Sequence, residues 1–335
     1  MKVGAPWPAA RSLRPFLPMP SGVLVIDKPA GPTSFDVVQR VRRLLRAEKA
    51  GHAGTLDPAA TGLLAVCLDE GVKIQRWLAD GDKEYQATVA FGAATDTEDA
   101  QGEVVARGDP AGIDEPALRA ALAPFVGEIE QVPPMYSAVR VGGRRLHRAA
   151  RAGEEVAREP RRVRIHALEL AAIEPLRDGI LRAHLSVSCG KGTYVRTLAA
   201  DLGRALGVPA HLAALRRTRA GPFGLEGALT LAQAEEMGRE GAGPLRARLV
   251  SPADALGFLP AERLSAAEAR DLVHGRALAR PGSADGLVRA LGPGGRLVAV
   301  AEVRGGALRP VRVLATPAEV GAESDPSPGD GGRPG

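Results

Sequence analysis

Apolar and polar positions repeat with two different periods along the chain, and each period predicts one type of element. Apolar residues at a spacing of three and four predict helices in SFDVVQRVRRLLRA, TYVRTLAADLGRALG and SAAEARDLVHGRAL. The first of these has Thr33 or Ser34 as its N-cap, and the second closes on a glycine. Alternation predicts strands in EYQATVAFG and LRAHLSVSCG, and a short apolar run before a proline predicts another in GVLVIDKP. Helices and strands do not alternate regularly, so we expect an α+β fold with a mixed, mainly antiparallel central sheet flanked by helices.

Proline and glycine divide the chain into segments. Residues 1–20 and 321–335 are rich in both, and we expect them to be disordered. A boundary is predicted in SPADALGFLP, because short strand patterns separated by Gly/Pro turns follow it: GLVRAL, RLVAVAEVRGG and LRPVRVL. We therefore predict a large domain over residues 21–250 and a small β-rich domain over residues 251–320.

The composition narrows the possible functions. The chain has 335 residues and a net charge of +5, with a pI near 9.5, which is compatible with a polyanionic partner. Its two cysteines, Cys67 and Cys189, make neither a zinc site nor a disulfide framework. No apolar stretch approaches the roughly 20 residues of a membrane span, and prolines interrupt the N-terminus where a signal peptide needs an apolar core. We expect a cytoplasmic protein that does not contact a membrane.

The stretch GHAGTLDPAATGLLAVCL, Gly51–Leu68, combines a glycine-rich loop with an apolar run that predicts a buried strand. Its loop carries one carboxylate, Asp57, and His52 lies five residues before it. Glycines suit a loop shaped around a ligand. An Asp-Pro pair is also a common start of a helix, so Asp57 could instead be an N-cap. The stretch by itself leaves both interpretations open.

Three further segments carry candidate chemistry. CGKGTYVRTL leads from a strand through glycines into a helix, and places Tyr194 and Arg196 where they could face an anion. Tyr85, in KEYQA, is one of only three tyrosines; the alternative is a half-buried core residue. The arginine-dense stretch Arg140–His166 follows a proline-stiffened loop with Tyr136, which is the pattern expected of an RNA-binding surface, or of a solvated helix face.

No sequence pattern indicates a metal or a cofactor. The acidic turn Thr95–Glu103 fails the spacing of a calcium loop and is interpreted as a polar turn with a capping Asp or Thr. Zinc-ligand spacing, phosphate-binding glycine motifs and a nucleophile elbow do not occur in the sequence.

Taken together, these segments closely resemble the TruB family of tRNA pseudouridine synthases. The matches follow the family's order over about 200 residues, from Gly22 to Phe223. They comprise GVLVIDKPAGPTSFDVV, GHAGTLDPAATGLL, KEYQATVAFGAATDTEDAQG, QVPPMYSAVRVGGRRLHRAARAG, CGKGTYVRTLAADLG and LAALRRTRAGPF. The resemblance implies a pseudouridine-synthase fold, and the C-terminal segment resembles, on weaker motifs, the family's PUA-like RNA-binding domain.

The resemblance also implies roles for individual residues. Asp57 matches the essential aspartate, Arg196 the arginine paired with it, and Tyr85 the tyrosine that stacks on the flipped uracil. His52 matches the histidine that helps to open the target loop. Other substrate-binding residues are expected at Tyr194, Leu215, Lys28, Arg144 and Arg145. Gly190 and His147 depart from the pattern, since many relatives have serine and tyrosine there.

The implied reaction isomerises uridine 55 in the T arm of tRNA to pseudouridine, without metal or cofactor, by a protein that needs no protein partner and acts as a monomer. Asp57 would be ionised, with its pKa kept low by Arg196, and it would either attack C1′ or remove the C2′ proton. Tyr85 is the candidate for handling the C5 proton. Three alternatives stay open: a guide-RNA-dependent synthase of a ribonucleoprotein, a non-catalytic tRNA-binding or tRNA-folding protein, and a retaining glycosidase with a second carboxylate about 5 Å away.

Overall fold

The computed structural model describes residues 21–135, 140–141, 144–145 and 156–322, with the backbone alone for residues 140–141, 144–145 and 321–322. The N-terminal segment 1–20, for which we expect disorder, lies outside the described residues. Of the tail 321–335, the first two residues close the last helix, and the others lie outside the described residues.

The described residues form nineteen strands and nine α-helices. The strands are β1 (Gly22–Lys28), β2 (Ala50–His52), β3 (Thr61–Leu68), β4 (Lys83–Phe91), β5 (Ala93–Thr95), β6 (Val104–Arg107), β7 (Gly127–Gln131), β8 (Arg140–Val141), β9 (Arg144–Arg145), β10 (Arg161–Ile173), β11 (Leu181–Cys189), β12 (Ala210–Ala220), β13 (Phe223–Gly224), β14 (Leu229–Thr230), β15 (Ala261–Arg263), β16 (Leu278–Ala279), β17 (Gly286–Leu291), β18 (Leu297–Arg304) and β19 (Ala307–Val313). The helices are α1 (Ser34–Leu45), α2 (Gln75–Asp80), α3 (Glu115–Leu122), α4 (Val195–Ala205), α5 (Leu231–Arg239), α6 (Ala242–Arg246), α7 (Pro252–Ala255), α8 (Ala266–Val273) and α9 (Pro317–Ala322).

Ten strands build the central sheet, in the order β14-β1-β3-β12-β4-β11-β10-β7, with β2 on β3 and β13 on β12. The pairs β1–β14 and β3–β12 are parallel, and the other pairs are antiparallel. The expected mixed, mainly antiparallel sheet flanked by helices is therefore confirmed.

Helix α1 has the apolar face that the spacing of its residues predicts. Thr33 caps it in a capping box with Asp36, as one of the two predicted N-caps, and its buried face carries Val37, Val38 and Val41. This face packs on β1 and β3 in one apolar cluster. The run predicted as a buried strand is β3, and helix α4 packs on β4, β11 and β12 in a second cluster.

The C-terminal strands form a second sheet, in the order β15-β17-β18-β19-β16. One apolar cluster joins this sheet to the central sheet and α2, since Leu297 and Val300 belong to the same buried cluster as Val23 and Trp77. No helix in the described part of the chain is both long enough and apolar enough to span a bilayer.

Candidate functional site

Asp57 lies in the loop between β2 and β3, and no helix begins there. The backbone carbonyl of Asp57 accepts a hydrogen bond of 3.1 Å from the Ala60 amide, which closes a turn instead. The helix-capping alternative for Asp57 is therefore wrong. Its side chain is 39% exposed, so the carboxylate is available at a surface of the loop.

Lys28, at the end of β1, lies beneath this loop and binds its backbone. Its side chain is fully buried, and its Nζ donates to the carbonyls of Pro29, Pro58 and Ala60 at 2.9, 3.1 and 2.8 Å. Burial lowers the pKa of the Lys28 ammonium, and the Asp57 carboxylate opposes that shift. The expectation that Lys28 binds substrate stays a prediction; in the structure its side chain is buried under the loop and bonded to three backbone carbonyls.

Arg196 reaches Asp57 from the first turn of α4. A glycine turn leads into this helix. Gly192 in that turn has φ +84°, a conformation that residues with a Cβ rarely adopt. The Arg196 side chain is 7% exposed, and its Nε lies 3.1 Å from Asp57 Oδ2. Its Nη1 donates to the Thr97 carbonyl at 3.3 Å and lies 3.6 Å from Asp99 Oδ2.

Asp99 is a second carboxylate at this guanidinium. The sequence indicated only a polar turn for Thr95–Glu103, and Asp99 does accept from Thr97 Oγ1 at 2.7 Å and from the Gln101 amide at 3.0 Å. The fold also brings it to Arg196, 97 positions later in the chain. Both oxygens of Asp99 are engaged, which fits an acid that orients the arginine better than a glycosidase's second catalytic acid.

The pKa of Asp57 is raised above its ordinary value. Burial is the main cause, the Arg196 guanidinium opposes it, and the neighbouring Asp99 carboxylate adds to it. The expectation that Arg196 keeps the Asp57 pKa low is therefore wrong. Desolvation raises this pKa more than the ion pair with Arg196 lowers it, and Arg196 is shared with Asp99.

A cavity of about 280 Å³ opens beside Asp57. The structure brings five of the predicted site residues to its wall, although they come from four separate parts of the chain: Asp57, Tyr85, Tyr194, Arg196 and Leu215. The rest of the wall comes from the Asp57 loop, the glycine turn before α4 and three residues on α2, β4 and β12: Gly54, Thr55, Leu56, Ala79, Lys83, Gly190, Gly192, Thr193, Val195 and Arg217.

Two predicted binding residues, Lys28 and His52, do not line this cavity, and for two others, Arg144 and Arg145, the structure describes only the backbone. His52 lies on β2, half-buried, and burial together with the nearby Arg217 charge lowers the pKa of its imidazole. Arg144 and Arg145 form the short strand β9, which pairs with β8. Tyr136 and His147, from the same arginine-dense stretch, lie outside the described residues.

Sequence reasoning missed three buried polar residues of the site. Lys83 lies two positions before Tyr85 on one strand, and Arg217 lies two positions after Leu215 on another. Residues two apart on a strand point to the same face, so this spacing could have indicated both residues. Gln131, at the end of β7, accepts from the Tyr194 amide at 3.0 Å and donates to its carbonyl at 3.3 Å. No local sequence signal indicates that contact.

In the described ranges there is no cluster of three or more His, Cys, Asp or Glu side chains that would hold a metal ion.

Comparisons with known proteins give one consistent result. Three family models match in succession: the TruB family pseudouridylate synthase N-terminal domain over residues 42–195, the tRNA pseudouridylate synthase B C-terminal domain over 196–256, and the tRNA pseudouridine synthase II C-terminal domain over 259–315. The chain is 50% identical over 297 residues to tRNA pseudouridine synthase B of Aromatoleum aromaticum, covering 88% of this chain and 93% of that one. It is 46% identical to the protein of that name from Cupriavidus metallidurans, covering 88% and 94%.

Solved structures add the fold. A chain of an H/ACA RNP bound to a substrate RNA containing 2′-deoxyuridine matches with a TM-score of 0.67 and 27% identity, over 89% of this chain and 86% of that chain. The archaeal box H/ACA sRNP Nop10-Cbf5 complex matches equally well, over 90% and 88%. The pseudouridine-synthase fold is confirmed, and the chain belongs to the TruB family of pseudouridylate synthases, which are isomerases.

Proposed function

We propose that this enzyme converts uridine 55 in the T arm of tRNA to pseudouridine. The observation that carries the proposal is the ion pair between Asp57 and Arg196. Both residues lie in the wall of a cavity that Tyr85 and Tyr194 also line. The tRNA substrate is supported by the name shared by the relatives at 46–50% identity. We further propose that the enzyme acts in the cytoplasm as a monomer and needs no partner protein.

The reaction rearranges bonds within one nucleotide. The N1–C1′ bond breaks, the uracil turns, C5 bonds to C1′, and the C5 proton leaves while N1 gains a proton. Atoms and electrons balance without an oxidant. In this proposal Asp57 either attacks C1′ or removes the C2′ proton, and both routes need its charged form.

The target base has to leave its RNA stack before it meets Asp57. Extrusion costs a few kcal/mol, and stacking on an aromatic ring returns about 1–3 kcal/mol. Tyr85 supplies such a ring at the cavity wall. Phosphate contacts from the arginine-rich segments, Arg144 and Arg145 included, would supply further binding energy.

The test is to modify bare, unmodified tRNA transcripts with the purified protein and to map the pseudouridines. We expect one modified position, U55, and no modification of a transcript with cytidine there. Modification at another position would contradict the assignment of the site. Activity that appears only after adding a guide RNA would favour the guide-dependent alternative, which the likeness to H/ACA proteins keeps in view.

The raised pKa of Asp57 predicts an acidic limb in the pH profile. Because the ionised form reacts, kcat/KM should be constant at higher pH and fall as the pH drops through the raised pKa of Asp57. The midpoint should therefore lie above the value of about 3.9 for an unperturbed aspartate. Single-turnover rates between pH 4.5 and 8 measure it. A flat profile over this range would show that burial does not shift Asp57.

Substituting Tyr85 by phenylalanine separates its ring from its hydroxyl. Burial raises the Tyr85 pKa, so the resting hydroxyl is protonated, while the nearby Arg217 guanidinium opposes the shift. If the hydroxyl handles the C5 proton, turnover should fall by about 10²- to 10⁴-fold, while tRNA affinity is kept by the ring. Comparing C5-deuterated with unlabelled substrate checks the step: a larger isotope effect is expected in Tyr85→Phe, and unchanged turnover would limit Tyr85 to stacking.

A further inference from the structure

Arg217 is an unusual arginine for its position. Its side chain, on β12 in the middle of the central sheet, is among the largest fully buried ones, with the residue 1% exposed. Its neighbours on the same strand behave as surface arginines: Arg216 makes an ion pair with Asp27 and is 39% exposed, and Arg219 bonds to the Gly221 carbonyl. A buried guanidinium is costly unless its N–H groups are bonded. The partners of its N–H groups therefore show what an arginine does there.

The hydrogen bonds of Arg217 go to the backbone that carries Asp57. Its Nη2 donates to the Gly54 carbonyl at 3.1 Å and its Nη1 to the Thr55 carbonyl at 3.3 Å, three and two residues before Asp57 respectively. Its Nε donates to the Leu63 carbonyl of β3 at 2.8 Å. Lys28 holds the other side of the same loop through Pro58 and Ala60. Asp57 is thus held between two buried cations that bind carbonyl oxygens on both sides of it.

The same guanidinium lies near Tyr85. It opposes the rise that burial causes in the pKa of the Tyr85 hydroxyl, and both residues line the cavity beside Asp57. Its charge also contributes to the lowered pKa values of His52 and Lys83, for which burial is the larger cause. The Arg217 side chain therefore links the Asp57 loop with Tyr85 in the cavity wall and with the ionisable groups of His52 and Lys83.

The base of this side chain is fixed by the sheet. Strand β12 runs parallel to β3, with Arg217 paired to Gly62. A Cβ on Gly62 would lie 2.2 Å from the Arg217 carbonyl oxygen, and Gly62 has φ +99°. The two backbones meet at a distance that only glycine permits. Arg217 consequently projects from a rigid point.

We propose that Arg217 is a positioning residue that fixes the Asp57 loop and the Tyr85 hydroxyl in their reactive arrangement. The inference rests on the proposed function, in which Asp57 and Tyr85 act on the flipped uridine. A displaced reactive group costs rate more than binding: a shift of about 1 Å can reduce turnover roughly 100-fold. Loss of Arg217 should therefore lower kcat and leave KM for tRNA nearly unchanged.

The experiment compares Arg217→Lys, Arg217→Met and a control, Arg219→Lys, which changes an exposed arginine on the same strand. We expect kcat to fall about 10- to 100-fold in Arg217→Lys, which keeps the charge but not the fork of donors, and further in Arg217→Met. KM should stay within about threefold, and Arg219→Lys should keep the kcat of the wild type. Unchanged kcat in both Arg217 variants, or a loss confined to KM, would overturn the proposal.

A second readout is independent of the reaction. The chain has three tyrosines, so NMR of ¹³C-labelled tyrosine, assigned with Tyr85→Phe, follows the titration of Tyr85 alone. Its pKa should rise in Arg217→Met, because the nearby positive charge is removed, and shift less in Arg217→Lys. An unmoved Tyr85 titration would contradict the contact. If Arg217→Met does not fold, Arg217→Lys carries both measurements. If neither the wild type nor any variant modifies tRNA, the proposed function fails. If the Tyr85 titration nevertheless shifts as expected, the contact between Arg217 and Tyr85 stands.

Discussion

Asp57→Asn should remove the pseudouridine-forming activity while the protein keeps its fold and its affinity for tRNA. Asparagine has the same shape as aspartate and can still accept a hydrogen bond from Arg196, but it has no charge with which to attack C1′ or to take the C2′ proton. We expect single-turnover rates to fall by on the order of 10⁴-fold or more. Arg196 would keep its second carboxylate, Asp99, so the substitution leaves no buried charge without a partner.

Tritium release from C5-labelled tRNA measures this loss, and filter binding measures the affinity. Asp80→Asn is the matched control, because it makes the same substitution at an exposed carboxylate whose partner is the surface residue Lys191. The control should turn over like the wild type. Retained turnover in Asp57→Asn would falsify the assignment of Asp57 and revive a protein that only binds or folds tRNA.

Arg196→Ala should have the second-largest effect. It removes the donor at 3.1 Å that orients Asp57 and leaves the neighbouring Asp57 and Asp99 carboxylates without the guanidinium that they share. We expect turnover to fall about 10²- to 10³-fold, the cost typical of losing a preorganised charged donor, with a much smaller loss of tRNA affinity. The acidic limb of the pH profile should move to higher pH, because the charge that opposed the burial of Asp57 is gone.

Asp99→Asn tests the same network in the opposite direction. It removes a like charge that raises the Asp57 pKa, so the acidic limb should move to lower pH. Arg204→Ala, at an exposed arginine on the same helix, is the control for Arg196→Ala and should change neither the rate nor the profile. A large loss of tRNA affinity with unchanged turnover in Arg196→Ala would make Arg196 a binding residue instead. Limbs that move in the same direction for both variants would contradict the electrostatic network.

Local signals sufficed for much of the fold. The spacing of Val37, Val38 and Val41 places one apolar face on α1, and the capping signal at Thr33 marks where it begins. Alternation along β4 and β11 predicted two central strands. These predictions succeed because they depend on which face of an element meets the core, a property written in neighbouring residues.

Charge balance at the site was predicted less well. A single arginine beside Asp57 suggested a lowered pKa, yet the structure shows a raised one. The sign depends on how much protein surrounds the carboxylate and on Asp99, which reaches the same guanidinium from a different loop. Lys28 is a similar case, because the sequence names the cation but does not show that it is buried beneath the Asp57 loop.

The sequence by itself determined the main helices and strands, the family resemblance and the candidate residues of the site, because each is carried by a short local pattern. Only the tertiary structure decided that Asp57 starts a turn and not a helix, and that Arg196 is shared with Asp99. It also decided that Lys28 and Arg217 hold the reactive loop from two sides. Apart from the Asp57 turn, those contacts join residues far apart in the chain, and their energies depend on burial and distance, which exist only once the sheet has formed.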